Sequence, residues 1–138
     1  MNIDSIKNGY VIDHIKAGMA MEIYRVLKLG KLDCPVAIIK NAASDKMGKK
    51  DIIKIDAIID LDLKALGYID PDITVNYIKD GALVEKKHLE LPERITNVIK
   101  CKNPRCITSC EQELDHVFKL TDRENRVYRC IYCESKAK

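Results

Sequence analysis

The 138-residue chain has no tryptophan, a single phenylalanine, four prolines and six glycines, and only 5% of its residues are aromatic. Its core must therefore be aliphatic, and with 46% apolar residues the chain can bury a modest one. The low proline and glycine content excludes collagen-like and low-complexity classes. No stretch approaches the roughly 18 consecutive apolar residues of a membrane span. The opening MNIDSIKNGYVIDHIK puts polar residues where a secretion signal needs an apolar run, so a cytoplasmic protein is expected.

Recognisable catalytic machinery is also missing. There is no G-x-x-x-x-G-K-[ST] phosphate loop and no G-x-G-x-x-G turn, so a nucleotide site would have to be built from side chains. No paired carboxylates with a nearby base and no Ser-His-Asp order occur, and His14, His88 and His116 are each isolated in sequence. The expectation is a chain that is not an enzyme. At 15.7 kDa it has room for one ordinary domain, or for two small ones if something besides apolar burial holds the second.

Charge gives little reason to expect a polyanionic partner. Of 24 basic and 21 acidic residues, 15 of each lie in positions 1–96, so the whole +3 surplus belongs to the tail. Four thiolates around a divalent ion would reduce that tail to about +1. Nucleic-acid binders usually concentrate far more positive charge on one face.

Cysteine is what the tail has in plenty. Four residues separate Cys101 from Cys106, two separate Cys130 from Cys133, and 23 lie between the pairs. In a reducing compartment such spacing reads as metal ligation, and two short knuckles suit a tetrahedral zinc with four thiolates. Four thiolates leave no open position, so the ion is structural. Cys110 would be an irregular fifth ligand, and Cys34, before Pro35, reads as a small core residue.

Upstream, Tyr10–Ile15 has strand character, and Ala20, Ile23, Tyr24 and Leu27 form the apolar stripe of a helix ending near Leu29 and Gly30. Val36–Ile39 and Lys50–Ile55 read as strands flanking an exposed loop over 40–49. Asp60 or Asp62 caps a short helix through Leu66, closed by Gly67. Ile73–Ile78 and Ala82–Lys86 then form a hairpin about Asp80-Gly81. The order β, α, β, β, α, β, β predicts an α+β, ferredoxin-like domain, an antiparallel sheet with two helices and one extra strand. The expected division is residues 1–91, a linker over 92–98, and a small zinc-ribbon-like β domain over 99–138.

One face of the third strand carries Lys50, Ile52 and Lys54, and Thr74, Asn76 and Ile78 form a second mixed face. Two ammonium groups about an apolar side chain suit an anionic ligand with a flat apolar part. The same alternation also fits a solvated sheet face.

Val11-Ile12-Asp13-His14-Ile15, Met47 to Ile55 (MGKKDIIKI), Thr74-Val75-Asn76, Leu91-Pro92-Glu93-Arg94-Ile95 and the paired cysteines occur in that order. Together they resemble the regulatory chains of aspartate carbamoyltransferase. The resemblance implies a non-catalytic, two-domain subunit that binds CTP and ATP, pairs with a second regulatory chain and docks on catalytic chains through a domain holding one structural Zn2+. Carried over by position, Asp13, Lys50 and Lys54 would lie near base and ribose, and His14 and Lys86 near the phosphates. Ile6, Val11, Thr74, Asn76, Ile78 and Leu83 would supply walls and backbone contacts. Cys101, Cys106, Cys130 and Cys133 would hold the metal, and Asn103 and Glu134 would meet the catalytic chain. In an ideal strand Asp13 and His14 point to opposite sides, so sharing one ligand requires the strand to end there. The alternatives are a nucleic-acid-binding zinc ribbon using Arg105, Arg123, Arg126 and Arg129, or a free-standing nucleotide sensor.

Overall fold

The computed structural model describes residues 6–137 and divides into two units, Met1–Glu90 and Leu91–Lys138. The first unit runs β1 (Gly9–Lys16), α1 (Ala20–Val26), a short 3-10 turn (Leu29–Lys31), β2 (Val36–Ser44), β3 (Gly48–Ile55), α2 (Leu63–Ile69), β4 (Thr74–Lys79) and β5 (Ala82–His88). All neighbouring strands are antiparallel, in the order β2-β3-β1-β4-β5. The fold is thus α+β, the ferredoxin-like arrangement with β5 added beyond β4.

One side of the sheet is aliphatic. Ile12 and Ile15 of β1, Ile53 and Ile55 of β3 and Val75 of β4 bury against Ala20 and Ile23 of α1 and Leu66 of α2. Helices this short are marginal alone, so their stability comes from that contact. Asp62 caps α2 as expected, its carboxylate accepting from the Ala65 N–H at 3.1 Å. Gly9 has to be glycine, because a Cβ there would lie 1.9 Å from the Ile55 carbonyl oxygen. Among the described residues, no helix of the unit lies on the other side of the sheet.

Three boundaries differ from expectation. The loop expected over 40–49 is mostly strand, since β2 continues to Ser44 and β3 begins at Gly48. Apolar alternation fails to announce it because the segment is largely exposed and β2 slips register between Ile39 and Ala42, with Asn41 at φ 60°. The first helix stops at Val26, and Leu29–Lys31 forms the 3-10 turn after Lys28 at φ 56°. Gly67 lies within α2, which ends at Ile69.

The second unit contains β6 (Arg94–Thr96), α3 (Ile107–Cys110), β7 (Val117–Asp122) and β8 (Val127–Cys130), with the strands in that order in one antiparallel sheet. Residues 92–98, expected as a linker, include β6, which pairs with β7. Its buried apolar side chains are few, chiefly Ile95, Phe118, Tyr128 and the cysteines Cys106 and Cys130. A core that small does not hold a domain by apolar burial alone. No helix among the described residues is long and apolar enough to cross a membrane.

Candidate functional site

The four cysteines of the paired spacing converge. Cys101 and Cys106 lie on the connection between β6 and α3, whereas Cys130 ends β8 and Cys133 follows it in a tight turn. Their sulfurs all lie within 4.8 Å of one another, with Cys101 to Cys133 at 3.5 Å and Cys106 to Cys130 at 3.7 Å. A tetrahedron of thiolates about a metal at 2.3 Å has edges of about 3.8 Å, so this cage fits a zinc-sized ion.

Backbone and hydroxyl groups shape each knuckle. The Thr108 hydroxyl donates to Cys106 Sγ at 3.1 Å, the Glu134 N–H to the Cys130 carbonyl at 2.9 Å, and the Cys101 N–H to His116 Nδ1 at 3.1 Å. Glu134, expected at a partner contact, takes φ 63° to close its turn. Asn103, expected beside it, accepts from the Arg105 N–H through Oδ1 at 3.0 Å and from the Ser109 hydroxyl through its carbonyl at 2.7 Å. The Ser135 hydroxyl brings the Cys133 thiol down to about 6, while burial pushes Cys101 up to about 12. With one thiol readily ionised and another strongly protonated, a cation must displace protons to complete the cage. Cys110 is exposed and Cys34 lies in the other unit, so neither belongs to the cluster.

Register alone assembles the second site, on the helix-free side of the five-stranded sheet. Val11 is opposite Lys54 on β3 and Asn76 on β4, and Asn76 is opposite Lys86 on β5. Directly opposed residues share a face, so Lys54, Val11, Asn76 and Lys86 form a continuous row across four strands. Ile78 and Leu83 form the next pair on one side, and Asp13, Thr74 and His88 the next row on the other. Asn76 Oδ1 is buried and has no hydrogen-bond partner among the described residues, an arrangement proteins avoid unless something else supplies the donor. Ile6 is buried and Leu83 exposed.

The orientation of Asp13 and His14 is solved by a bulge, not by the end of the strand. Register slips between Ile12 and Ile15, both of which stay in the core, and His14 takes φ 58°. The two intervening residues are thereby freed from strict alternation. Asp13 Oδ1 accepts from its neighbour's backbone N–H at 2.6 Å and pairs with Lys50 Nζ at 3.0 Å. His14 Nδ1 lies 2.8 Å from Thr74 Oγ1. His14, Thr74 and Lys86 line a cleft of ≈ 700 Å³ that Lys46, Asp72 and His88 also border. Lys46 and His88 were not expected there; the first comes from the misread hairpin and the second from β5 running beyond Lys86.

Burial works against ionisation of Asp13, but the Lys50 ammonium and the His14 N–H outweigh it and hold its carboxyl below the usual range. A depressed folded value means that the pair stabilises the unit above the unfolded pKa near 4 and is lost as pH falls through the lower, folded value. Titration of the Asp13 carboxyl carbon by NMR is expected to show its midpoint below that of a free aspartate, moving up toward it in Lys50→Ala.

A family model described as "Aspartate carbamoyltransferase regulatory chain, allosteric domain" matches residues 1–90, and one described as "Aspartate carbamoyltransferase regulatory chain, metal binding domain" matches residues 93–138. The chain belongs to the aspartate carbamoyltransferase regulatory chain family. Curated regulatory chains from Clostridium acetobutylicum and Clostridium botulinum (strain Hall) are 54% and 55% identical over 134 residues, covering 97% of this chain and 92% of each relative. That of Bifidobacterium longum is 43% identical over 138 residues, covering 100% and 99%. The regulatory chain is a non-catalytic subunit of the pyrimidine pathway, with an allosteric domain carrying the five-stranded sheet and a metal-binding domain carrying the cysteine cage. Such a chain works with catalytic chains as its partners. The free-standing sensor is set aside, and of the four arginines suggested for nucleic acid, Arg123 and Arg129 donate to the carbonyls of Leu91 and Glu134.

Proposed function

We propose that the helix-free face of the first domain binds CTP and ATP, and that the second, held by one structural Zn2+, docks on the catalytic chain of a cytoplasmic aspartate carbamoyltransferase. The row Lys54, Val11, Asn76 and Lys86 carries this reading. Two cations flank an apolar side chain and a buried acceptor with no partner among the described residues. A base has amino or ring N–H donors for that acceptor and a flat surface for Val11, Ile52 and Ile78, while ribose and phosphates meet the charges. Asp13 with Lys50 would meet base and ribose, and His14 with Lys86 the phosphate tail in the adjoining cleft. Ile6 and Leu83 would complete the walls. Asn103 and Glu134 would lie at the catalytic-chain contact, and a second regulatory chain would cover one of the open sheet edges, β2 or β5.

Regulation then requires only unequal binding to two quaternary states. A nucleotide that bound both equally would shift nothing, and a coupling of about 1–3 kcal/mol changes substrate affinity roughly 5- to 150-fold. In the assembled enzyme, the Lys54→Ala/Lys86→Ala double variant is expected to abolish the response of the rate to CTP and ATP and to weaken nucleotide binding at least tenfold. Subunit composition on gel filtration should stay the same. An unchanged nucleotide response in that variant rejects the site.

A further inference from the structure

Arg94 of β6 is directly opposite Lys119 of β7, which is opposite Arg129 of β8, and Arg129 is bridged on its far side by Lys136. Four cations therefore stand in one row on one face, roughly 4.8 Å from strand to strand. The adjacent row, Ile95, Phe118 and Cys130, is the buried one. Like charges placed directly opposite one another destabilise a sheet, and among the described residues none of the four has a carboxylate within ion-pair distance. Arg129 Nη1 donates to the Glu134 carbonyl at 3.0 Å, which fixes one guanidinium beside a cleft of ≈ 450 Å³ lined also by Arg94, Lys119, Thr121, Ile131 and Glu134. In the isolated domain the mutual repulsion of this row is offset by no ion pair among the described residues.

We propose that the row Arg94, Lys119, Arg129 and Lys136 receives an acidic segment of the catalytic chain, its carboxylates set between the cations and an apolar side chain resting on Ile131. This rests on the docking role of the metal-binding domain and adds the chemistry of the surface it meets. Guanidinium forks pair carboxylates in bidentate geometry, and the open cleft between the two arginines has room for them. An extended nucleic-acid backbone fits less well. Asp122 ends β7 and Glu124 stands in the turn that follows it, and the domain's surplus after metal binding is only about +1.

The test uses purified catalytic chains and the full regulatory chain, comparing wild type with Arg94→Glu/Lys119→Glu and with the milder Lys119→Gln. Arg129 is left in place because of its bond to the backbone. The charge reversal is expected to weaken association at least tenfold at low ionic strength, with Lys119→Gln intermediate, metal content unchanged, and a shallower dependence of affinity on NaCl than in wild type. Wild-type affinity in the double reversal overturns the proposal and leaves docking through this domain intact. Loss of metal from the variant overturns it too, since the cations would then be balancing the thiolate cage. Failure of the wild-type chain to associate at all rejects the docking role as well. Salt-sensitive binding of a 20-base-pair duplex, with unimpaired assembly of the variant, assigns the row to nucleic acid instead.

Discussion

Replacing Cys130 with serine, or stripping the metal with a chelator, is expected to unfold residues 91–138 while leaving the five-stranded sheet intact. Cys130 is buried at the end of β8, and its sulfur lies 3.7 Å from Cys106 and within 4.8 Å of the other two ligands. Structural metal binding in small domains contributes on the order of 10 kcal/mol or more, because the unfolded chain has no assembled cage. Nothing else in the unit offsets such a loss, since its core amounts to a few side chains about Phe118 and Tyr128. The sign with pH follows from the ligands: metal holds thiolates, acid protonates them, and the unit comes apart as pH falls. Zinc content by elemental analysis and amide dispersion in NMR spectra measure this, with Cys110→Ser as the control that retains both. A stripped second unit that kept its dispersion would show that something other than the four sulfurs holds it.

The two units were legible in the sequence to different depths. In the second, ligand spacing was nearly sufficient, because only one arrangement of two short knuckles satisfies a tetrahedral ion. The shell behind the cage was not legible. His116 accepts from the Cys101 N–H and is itself paired with Asn97, whose N–H donates to the His116 carbonyl and whose Oδ1 accepts from the His116 N–H, yet in sequence it is 15 residues from that cysteine and without a motif. In the first unit, apolar period gave the element order most clearly where the buried positions of β3 and the stripe of α1 keep their spacing. It failed over 40–49, where the strands are solvated and no apolar alternation survives.

The bulge in β1 shows why a correct list of residues can coexist with a wrong geometry. Alternation puts Asp13 and His14 on opposite sides, and although histidine is one of the residues enriched at left-handed φ, its presence in a strand-like run does not announce a φ of 58°. The one local hint was apolar, because Ile12 and Ile15 are three apart yet share the core, which an unbroken strand does not allow. Backbone held in such a region is commonly found where a site imposes it, and here it sits between the ion pair to Lys50 and the contact to Thr74. The row of Lys54, Val11, Asn76 and Lys86 was hidden for another reason. It depends on register across four strands, which no single segment contains.

Asp51→Ala is expected to destabilise the allosteric domain by roughly 3–6 kcal/mol, on the scale of unsatisfied buried donors costing about 1–3 kcal/mol each. Asp51 is 0% exposed. Its Oδ2 accepts from the N–H groups of Gly18 at 3.0 Å and Ala20 at 3.2 Å, and its Oδ1 from that of Asn41 at 3.0 Å. One carboxylate therefore ties β3 to the turn after β1, to the start of α1 and to the register slip in β2. It stands at a core-facing position between Lys50 and Ile52, on the same buried side of β3 as Ile53 and Ile55, where a charge needs several donors. Removing it orphans three backbone groups, a large fraction of the 5–15 kcal/mol that a domain ordinarily has. Asp51→Asn keeps one acceptor oxygen and turns its NH₂ toward a donor, so an intermediate loss is expected. Urea denaturation followed through the allosteric domain gives the magnitude, and hydrogen exchange at Gly18, Ala20 and Asn41 shows whether the opening is local. The same variant should blunt the nucleotide response before the domain unfolds, because the β2–β3 hairpin that carries Lys46 and the strand that carries Lys50 and Lys54 are both positioned by it. A loss below about 1 kcal/mol, with those three amides still protected, would mean that water or a rearranged backbone satisfies them and that the carboxylate is not the tie.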